Sequence, residues 1–134
     1  MGKQIALRLP FPPSANHYLA MRIFKRNDGK MIPMHYRTAK AKAFYDEVRH
    51  TVAEQSAGYA IEGRIALSIE LTPPNKRVFD ISNAVKCIED ALEESGVFLN
   101  DSQVDELHVK RLPPDGFKVG AADIVIQPIG NGHA

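Results

Sequence analysis

With 134 residues, 44% of them hydrophobic, and Cys87 as its one cysteine, the chain is long enough for one domain with one core. That cysteine count excludes an internal disulfide and a cysteine-rich zinc site and fits a reducing compartment. No stretch approaches the roughly 18 uninterrupted apolar residues of a membrane span, and the opening MGKQIALRLPFPP lacks a signal-length apolar run, so a soluble, cytoplasmic protein without a membrane partner is expected.

The first element is a half-buried strand from Gln4 to Leu9, where Ile5, Leu7 and Leu9 alternate with Ala6 and Arg8 until Pro10, Pro12 and Pro13 end it. The next stretch, residues 14–36, carries Asn27-Asp28-Gly29 between two arms of apolar and basic residues and reads as a projecting β-hairpin. Thr38 can cap a helix running to about Ser56, with Ala41, Phe44, Tyr45, Val48 and Val52 at helical spacing and Gly58 just beyond its end. Ile65, Leu67, Ile69 and Leu71 then alternate with Ala66, Ser68 and Glu70 in a second strand, stopped by Pro73-Pro74.

A second helix starts at Asp80. With Asp80 at 0° and 100° per residue, Ala91, Ala84, Ile88, Ile81, Leu92 and Val85 fall between about 20° and 140° and form its buried face. Lys86, Asp90, Asn83, Cys87 and Asp80 fall between about 240° and 360°, so acids, amide and ammonium share one flank. Gly96 stops the helix, and the apolar run Val97-Phe98-Leu99 can return the chain toward the helix start, bringing Asp101 to Lys86 and Asp80. Gln103 to Leu112 is mixed in period and reads as a strand, Pro113-Pro114-Asp115-Gly116 as a turn, and Ala122 to Ile129 as the last strand. Residues 130–134 read as a loose tail. This order predicts an α+β fold over residues 1–134: a mixed β-sheet with two helices on one face and the hairpin projecting.

The net charge of +1 hides a split along the chain. From Arg22 to Arg49 eight Lys/Arg stand against three Asp/Glu; from Asp80 to Glu106 eight Asp/Glu stand against Lys86 alone. Such a split suits a metal-dependent enzyme acting on a polyanion, and it equally suits two solvated helix faces, which charge alone favours.

Residues 75–104, NKRVFDISNAVKCIEDALEESGVFLNDSQV, decide further. Lys76-Arg77, Asp80, Asn83, Lys86, Asp90-Ala91-Leu92, Gly96, Asn100-Asp101 and Val104 follow in order and at matching spacing, preceded far upstream by LPFPPSANHY. Over most of the chain this resembles the RusA family of Holliday-junction resolvases. The resemblance implies a homodimeric, magnesium-dependent endodeoxyribonuclease, with manganese as a substitute, that nicks two opposed strands of a four-way DNA junction. The chain departs from the family pattern at Ser82, where a second aspartate is usual, at Phe79, where many members have Arg, and at Asn100, where some have Asp. The first departure leaves the number of metal ligands open.

The residues support specific roles. Asp80 and Asp101 are candidate magnesium ligands, against simpler roles as a helix-head carboxylate and a turn residue. Lys86 is a candidate for neutralising charge on the scissile phosphate, or else a surface cation paired with Asp90. Asp90 stands as a third ligand or as the group that orients Lys86, Asn83 as a support for the carboxylates, and Ser82 as a local cap, a weak water-mediated ligand or a phosphate contact. Lys25, Arg26, Lys30, Arg37, Lys40, Lys42, Lys76 and Arg77 are candidate DNA backbone contacts, with Tyr18, Phe24 and Tyr36 able to stack on unpaired bases or pack in the core. Ser14, Asn16 and His17 could border the site; the other histidines are too scattered for a metal. Three functions remain: a junction-resolving nuclease, a branched-DNA binding protein whose catalysis is weakened by Ser82, and a small dimeric interaction module.

Overall fold

The computed structural model describes residues 4–13, 19–55 and 60–130, except the side chains at 19–22, 24, 34 and 35. Its elements are β1 (Ile5–Leu9), β2 (Leu19–Lys25), β3 (Met31–Arg37), α1 (Ala39–Gln55), β4 (Ile65–Thr72), α2 (Ile81–Glu94), a 3-10 turn (Asp101–Gln103), β5 (Val104–Arg111) and β6 (Ala121–Pro128). One mixed sheet runs β1-β6-β4-β5, antiparallel at β1–β6 and β6–β4 and parallel at β4–β5. β2 and β3 form a separate antiparallel hairpin. The α+β fold matches the expectation from the sequence; Ser14, Asn16, His17, Tyr18, the end expected for the first helix and residues 131–134 lie outside the described residues.

Strand alternation sorts the two faces of the sheet. Leu7, Leu9, Ile65, Leu67, Ile69, Leu71, Ile124 and Ile126 are all buried, and Phe44, Tyr45, Val48 and Val52 of α1 and Val85, Ile88, Ala91 and Leu92 of α2 complete the same core. Each Val, Leu, Ile or Phe side chain among them contributes about 1.5–3 kcal/mol through removal from water. Both helices therefore cover one face. The other face mixes small or apolar residues such as Ala6, Ala66 and Val125 with an ion pair: Arg8 donates to both carboxylate oxygens of Asp123 at 2.9 and 3.0 Å across the β1–β6 pair.

The irregular period expected for β5 has a local cause. Ile65 pairs with Val104 and Ala66 with Glu106, so Asp105 is an extra residue, a β-bulge that shifts the strand's phase. Beyond it Leu107, Val109 and Arg111 stand opposite Leu67, Ile69 and Leu71, on the helix-covered face. Arg64 holds the bulge, donating from Nε to Asp105 Oδ1 at 2.7 Å, through Nη2 to the same oxygen, and to Ser102 O at 2.6 Å.

Among the described residues no helix is long and apolar enough to cross a membrane. The β5–β6 loop docks on the segment after β4 at Gly120, where a Cβ would stand 2.8 Å from Thr72 O and 2.9 Å from Pro74 N, at φ +75°. Gly116, in the same loop, has φ +88° and open space around its Cα. Gly116→Ala should lower unfolding free energy by about 1–2 kcal/mol, the left-handed backbone cost alone, and Gly120→Ala by clearly more, because backbone must move. Urea titrations of both variants measure the difference; equal losses would show that the Gly120 contact yields freely.

Candidate active site

α2 begins where its sequence places a cap. Asp80 is extended (φ −94°, ψ 118°), its Oδ1 accepts from Ser82 N at 2.8 Å, and Ala84 N donates to its carbonyl. Ser82, an exposed residue, thus meets Asp80 through its backbone. Asn83 is exposed one position on. Lys86 lies six residues beyond Asp80, about 9 Å along the axis, and donates from Nζ to Asp90 Oδ1 at 3.0 Å. Cys87, which the helical wheel groups with this polar flank, is buried, and α1 packs against α2. Burial pushes its thiol up to about 12.

Asp101 comes to this flank from the other side. Val97 and Phe98 are buried and fix the chain, with Ile61 N donating to Val97 O at 2.7 Å, whereas Leu99 is 65% exposed. Asn100 and Gln103 form a capping box: Asn100 Oδ1 accepts from Ser102 N at 2.8 Å, and Gln103 Oε1 accepts from Asn100 N at 2.9 Å and Leu99 N at 2.7 Å. Gln103 Nε2 donates in turn to the carbonyls of Ile61 and Gly63, at 2.9 and 2.8 Å. Asp101 N donates to Glu93 Oε1 at 2.7 Å. Its own carboxylate makes no hydrogen bond or ion pair among the described residues.

The structure therefore brings Lys86, Asp90 and Asp101 together and adds Glu89 and Glu93. Asp90 above all, then Asp101 and Glu89, raise the Lys86 pKa and keep the ammonium charged. Glu89 is raised by partial burial first and by Asp101 next, a carboxylate crowded by like charge. Asp80 stays at the head of α2, with Lys86 between it and Asp101, because the turn at 101–103 must enter β5 beside the start of β4. Among the described residues no three His, Cys, Asp or Glu side chains converge as a ready metal cage. Glu89 and Glu93 were readable on the same helical wheel, at about 180° and 220° beside Lys86.

The expected DNA contacts divide by partner. Lys25, Arg26 and Lys30 are exposed at the hairpin tip, where Arg26 pairs with Asp28 at 3.4 Å; Lys40 and Lys42 are exposed on α1. Arg37 instead makes a forked bond to Glu94 at 3.1 and 2.6 Å and lies 3.9 Å from the Tyr45 ring centroid. It lines a cleft of about 480 Å³ with Tyr45, Asp90, Glu93, Glu94 and Leu99. Tyr36 is partly exposed, and Lys76 and Arg77 are exposed between β4 and α2.

A lysine among carboxylates on one helix flank is a group set suited to phosphoryl chemistry. The chain belongs to the RusA family: the family model Endodeoxyribonuclease RusA matches residues 10–126. Similar proteins include the crossover junction endodeoxyribonuclease RusA of Escherichia coli strain K12, 28% identical over 126 residues that cover 94% of this chain and 96% of that protein. The enzyme of the same name from Enterobacteria phage 82 is 28% identical over 125 residues, 93% and 95% of the two chains. That of Aquifex aeolicus strain VF5 is 34% identical over 107 residues, 78% and 76%.

Because its raised pKa marks ionised Glu89 as unfavourable, Glu89→Gln should stabilise the metal-free protein at neutral pH. A raised carboxyl contributes stability that is whole below the ordinary glutamate pKa and is lost as pH rises through the folded value. The gain should therefore disappear under acid conditions where wild-type Glu89 is itself protonated. Thermal melts across pH read this, and a gain independent of pH would assign it to packing.

Proposed function

We propose that the protein is a magnesium-dependent endodeoxyribonuclease that resolves four-way DNA junctions as a homodimer, by paired nicks in opposed strands. The observation that carries this reading is the Lys86–Asp90–Asp101 grouping at the family's motif, in a chain matched by the family model over residues 10–126. The relatives' name supports the substrate: they are crossover junction endodeoxyribonucleases. Two opposed nicks call for two active sites, and a two-fold dimer of a one-site domain supplies them.

The donor set suits magnesium, which takes hard oxygens and needs only one or two carboxylates, with water and phosphate oxygens completing its shell. Among the described residues Asp101 has both oxygens unengaged and Asp80 has one, and the partial burial and then the like charge of Asp101 that raise Glu89 favour a cation on this flank. Asp80, Asp101 and Asp90 are the acids we assign to metal, though not all to one ion: Asp80 stands ten residues before Asp90, about 15 Å along the helix axis, so it would hold an ion separate from one shared by Asp90 and Asp101. When bound, the ion polarises the phosphoryl oxygen and makes water a better nucleophile. Lys86, held by Asp90, keeps its proton and offers a fixed positive charge to the phosphate oxygens. Asp90 orients that ammonium, and Gln103 and Glu93 hold the backbone that carries Asp101.

Asn caps helices as well as Asp does, so Asp80→Asn should fold normally and, like Asp101→Asn, abolish magnesium-dependent nicking of a mobile four-way junction while binding is kept or tightened. Gel-shift and nicking assays on the same preparations separate the two effects. Loss of binding together with unfolding in both variants would assign these acids to the fold.

A second reading, a junction-binding protein with weakened catalysis, rests on Ser82, which leaves Asp80 as the carboxylate at the helix head. On it the metal is held with one charge fewer, and Ser82→Asp should lower the magnesium concentration for half-maximal cleavage. An unchanged magnesium dependence in Ser82→Asp, with activity lost in Ser82→Ala, would instead put the hydroxyl to work on substrate or water.

A further inference from the structure

The cleft of about 290 Å³ at the other end of α2 is lined by Pro73, Asn75, Lys76, Arg77, Phe79 and Arg111, among others. Its cations come from two separate parts of the chain: Lys76 and Arg77 from the segment between β4 and α2, Arg111 from the last position of β5. None of the three has a carboxylate partner among the described residues, whereas Arg8, Arg26, Arg37, Arg49, Arg64 and Lys86 all do.

Arg111 is also the most firmly placed of the three. Its Nη2 donates to Phe79 O at 2.9 Å and its Cζ lies 4.3 Å from the Phe79 ring centroid. The Phe79 ring is itself set edge-on against Phe11, with centroids 5.2 Å apart. The β4–β5 register adds a main-chain anchor, Leu112 N to Leu71 O at 2.8 Å. A guanidinium stacked on a ring and bonded to the carbonyl just before Asp80 has lost much of its rotamer freedom, and its remaining N–H groups are available to a ligand. Arg77 N is likewise fixed, donating to Asn75 Oδ1 at 2.9 Å.

We propose that this cleft is a second phosphate subsite, in which Arg111 with Lys76 and Arg77 grips a DNA backbone phosphate adjacent to the one cut at the Asp80–Lys86–Asp101 flank. Arg111 is a positioning residue: it fixes the strand and touches no reacting atom. The inference rests on the nuclease reading above and adds a residue and a place to it. An unpaired cation cluster attracts phosphate from any duplex sequence, so its contribution is uniform across junction sequences and sensitive to salt.

The test is the salt dependence of four-way junction binding by the full chain, measured by fluorescence anisotropy without divalent ions, for wild type, Arg111→Gln and Arg111→Lys. Glutamine keeps a donor for Phe79 O and removes the charge; lysine keeps the charge. Arg111→Gln should weaken binding equally across junction sequences and make the plot of log affinity against log salt shallower by about one per protomer engaged. Arg111→Lys should retain the wild-type slope. An unchanged slope in a folded Arg111→Gln protein overturns the subsite, as does the same loss in both variants, which would reduce Arg111 to a support for Phe79. Should Arg111→Gln fail to fold, Arg77→Gln carries the test, and an unchanged slope there overturns the subsite equally. Wild-type protein that shows no salt-dependent junction binding would overturn the nuclease reading itself.

Discussion

Pairing β5 in parallel with β4 requires a crossover, and α2 is that crossover. The direction of α2 follows, and with it the layout of the charged groups at its two ends. Its head lies where β4 and β5 end, so Asp80, Phe79, Lys76, Arg77 and Arg111 gather there. Its tail lies where β5 begins, so Asp101 arrives beside Glu93 and Glu89. Lys86 stands between the two groups. The register that fixes this rests on few contacts at its start: the bulge at Asp105, the Arg64 bonds to Asp105 and Ser102, and the Gln103 amide bridging Ile61 and Gly63. These side chains are part of the site although none is placed to touch substrate.

The acidic flank of α2 is not arranged for stability. Glu89, Asp90, Glu93 and Asp101 crowd one lysine, and Glu89 is pushed up by partial burial first and by Asp101 next. Local rules of helix design would place Lys at several of these positions. Groups that break such rules without a gain in packing are where function is expected to reside. A cation and the phosphates of a nucleic acid are both ligands that this imbalance would attract, in different places: the cation among the acids, the phosphates beside Lys86 and at the head of α2.

How much was legible in the sequence depended on the range of the interaction. β1, β4 and α2 could be read because burial follows a fixed period, and the five apolar positions of α1 are the ones buried. β5 blurred because an extra residue, Asp105, shifts its phase, and a bulge has no periodic signature. Cys87 was misassigned because the wheel cannot see which neighbour covers the helix. The Asp101 turn carried a readable sign, Asn100 three residues before Gln103, a capping-box spacing. Gln103 to Gly63 and Arg111 to Phe79 join residues 40 and 32 positions apart, and a single sequence gives no warning of them.

The arginines show the same division by partner. Arg37 is neutralised by Glu94, which Arg49 also approaches, and stacks on Tyr45, so it ties the base of the β2–β3 hairpin to the end of α2. A half-exposed pair of this kind adds about 0–1 kcal/mol, but it fixes where the hairpin leaves the body. Arg64 is neutralised by Asp105 and fixes the bulge. Arg111 is held as firmly, by a ring and a carbonyl, with no acid among the described residues to absorb its charge. A cation positioned by neutral groups keeps its full electrostatic reach, and a partner that brings the missing negative charge gains all of it. On the subsite proposed above, the neutral support of Arg111 leaves its charge undivided for a phosphate, whereas Arg37, also expected from sequence to meet DNA, shares its charge with Glu94.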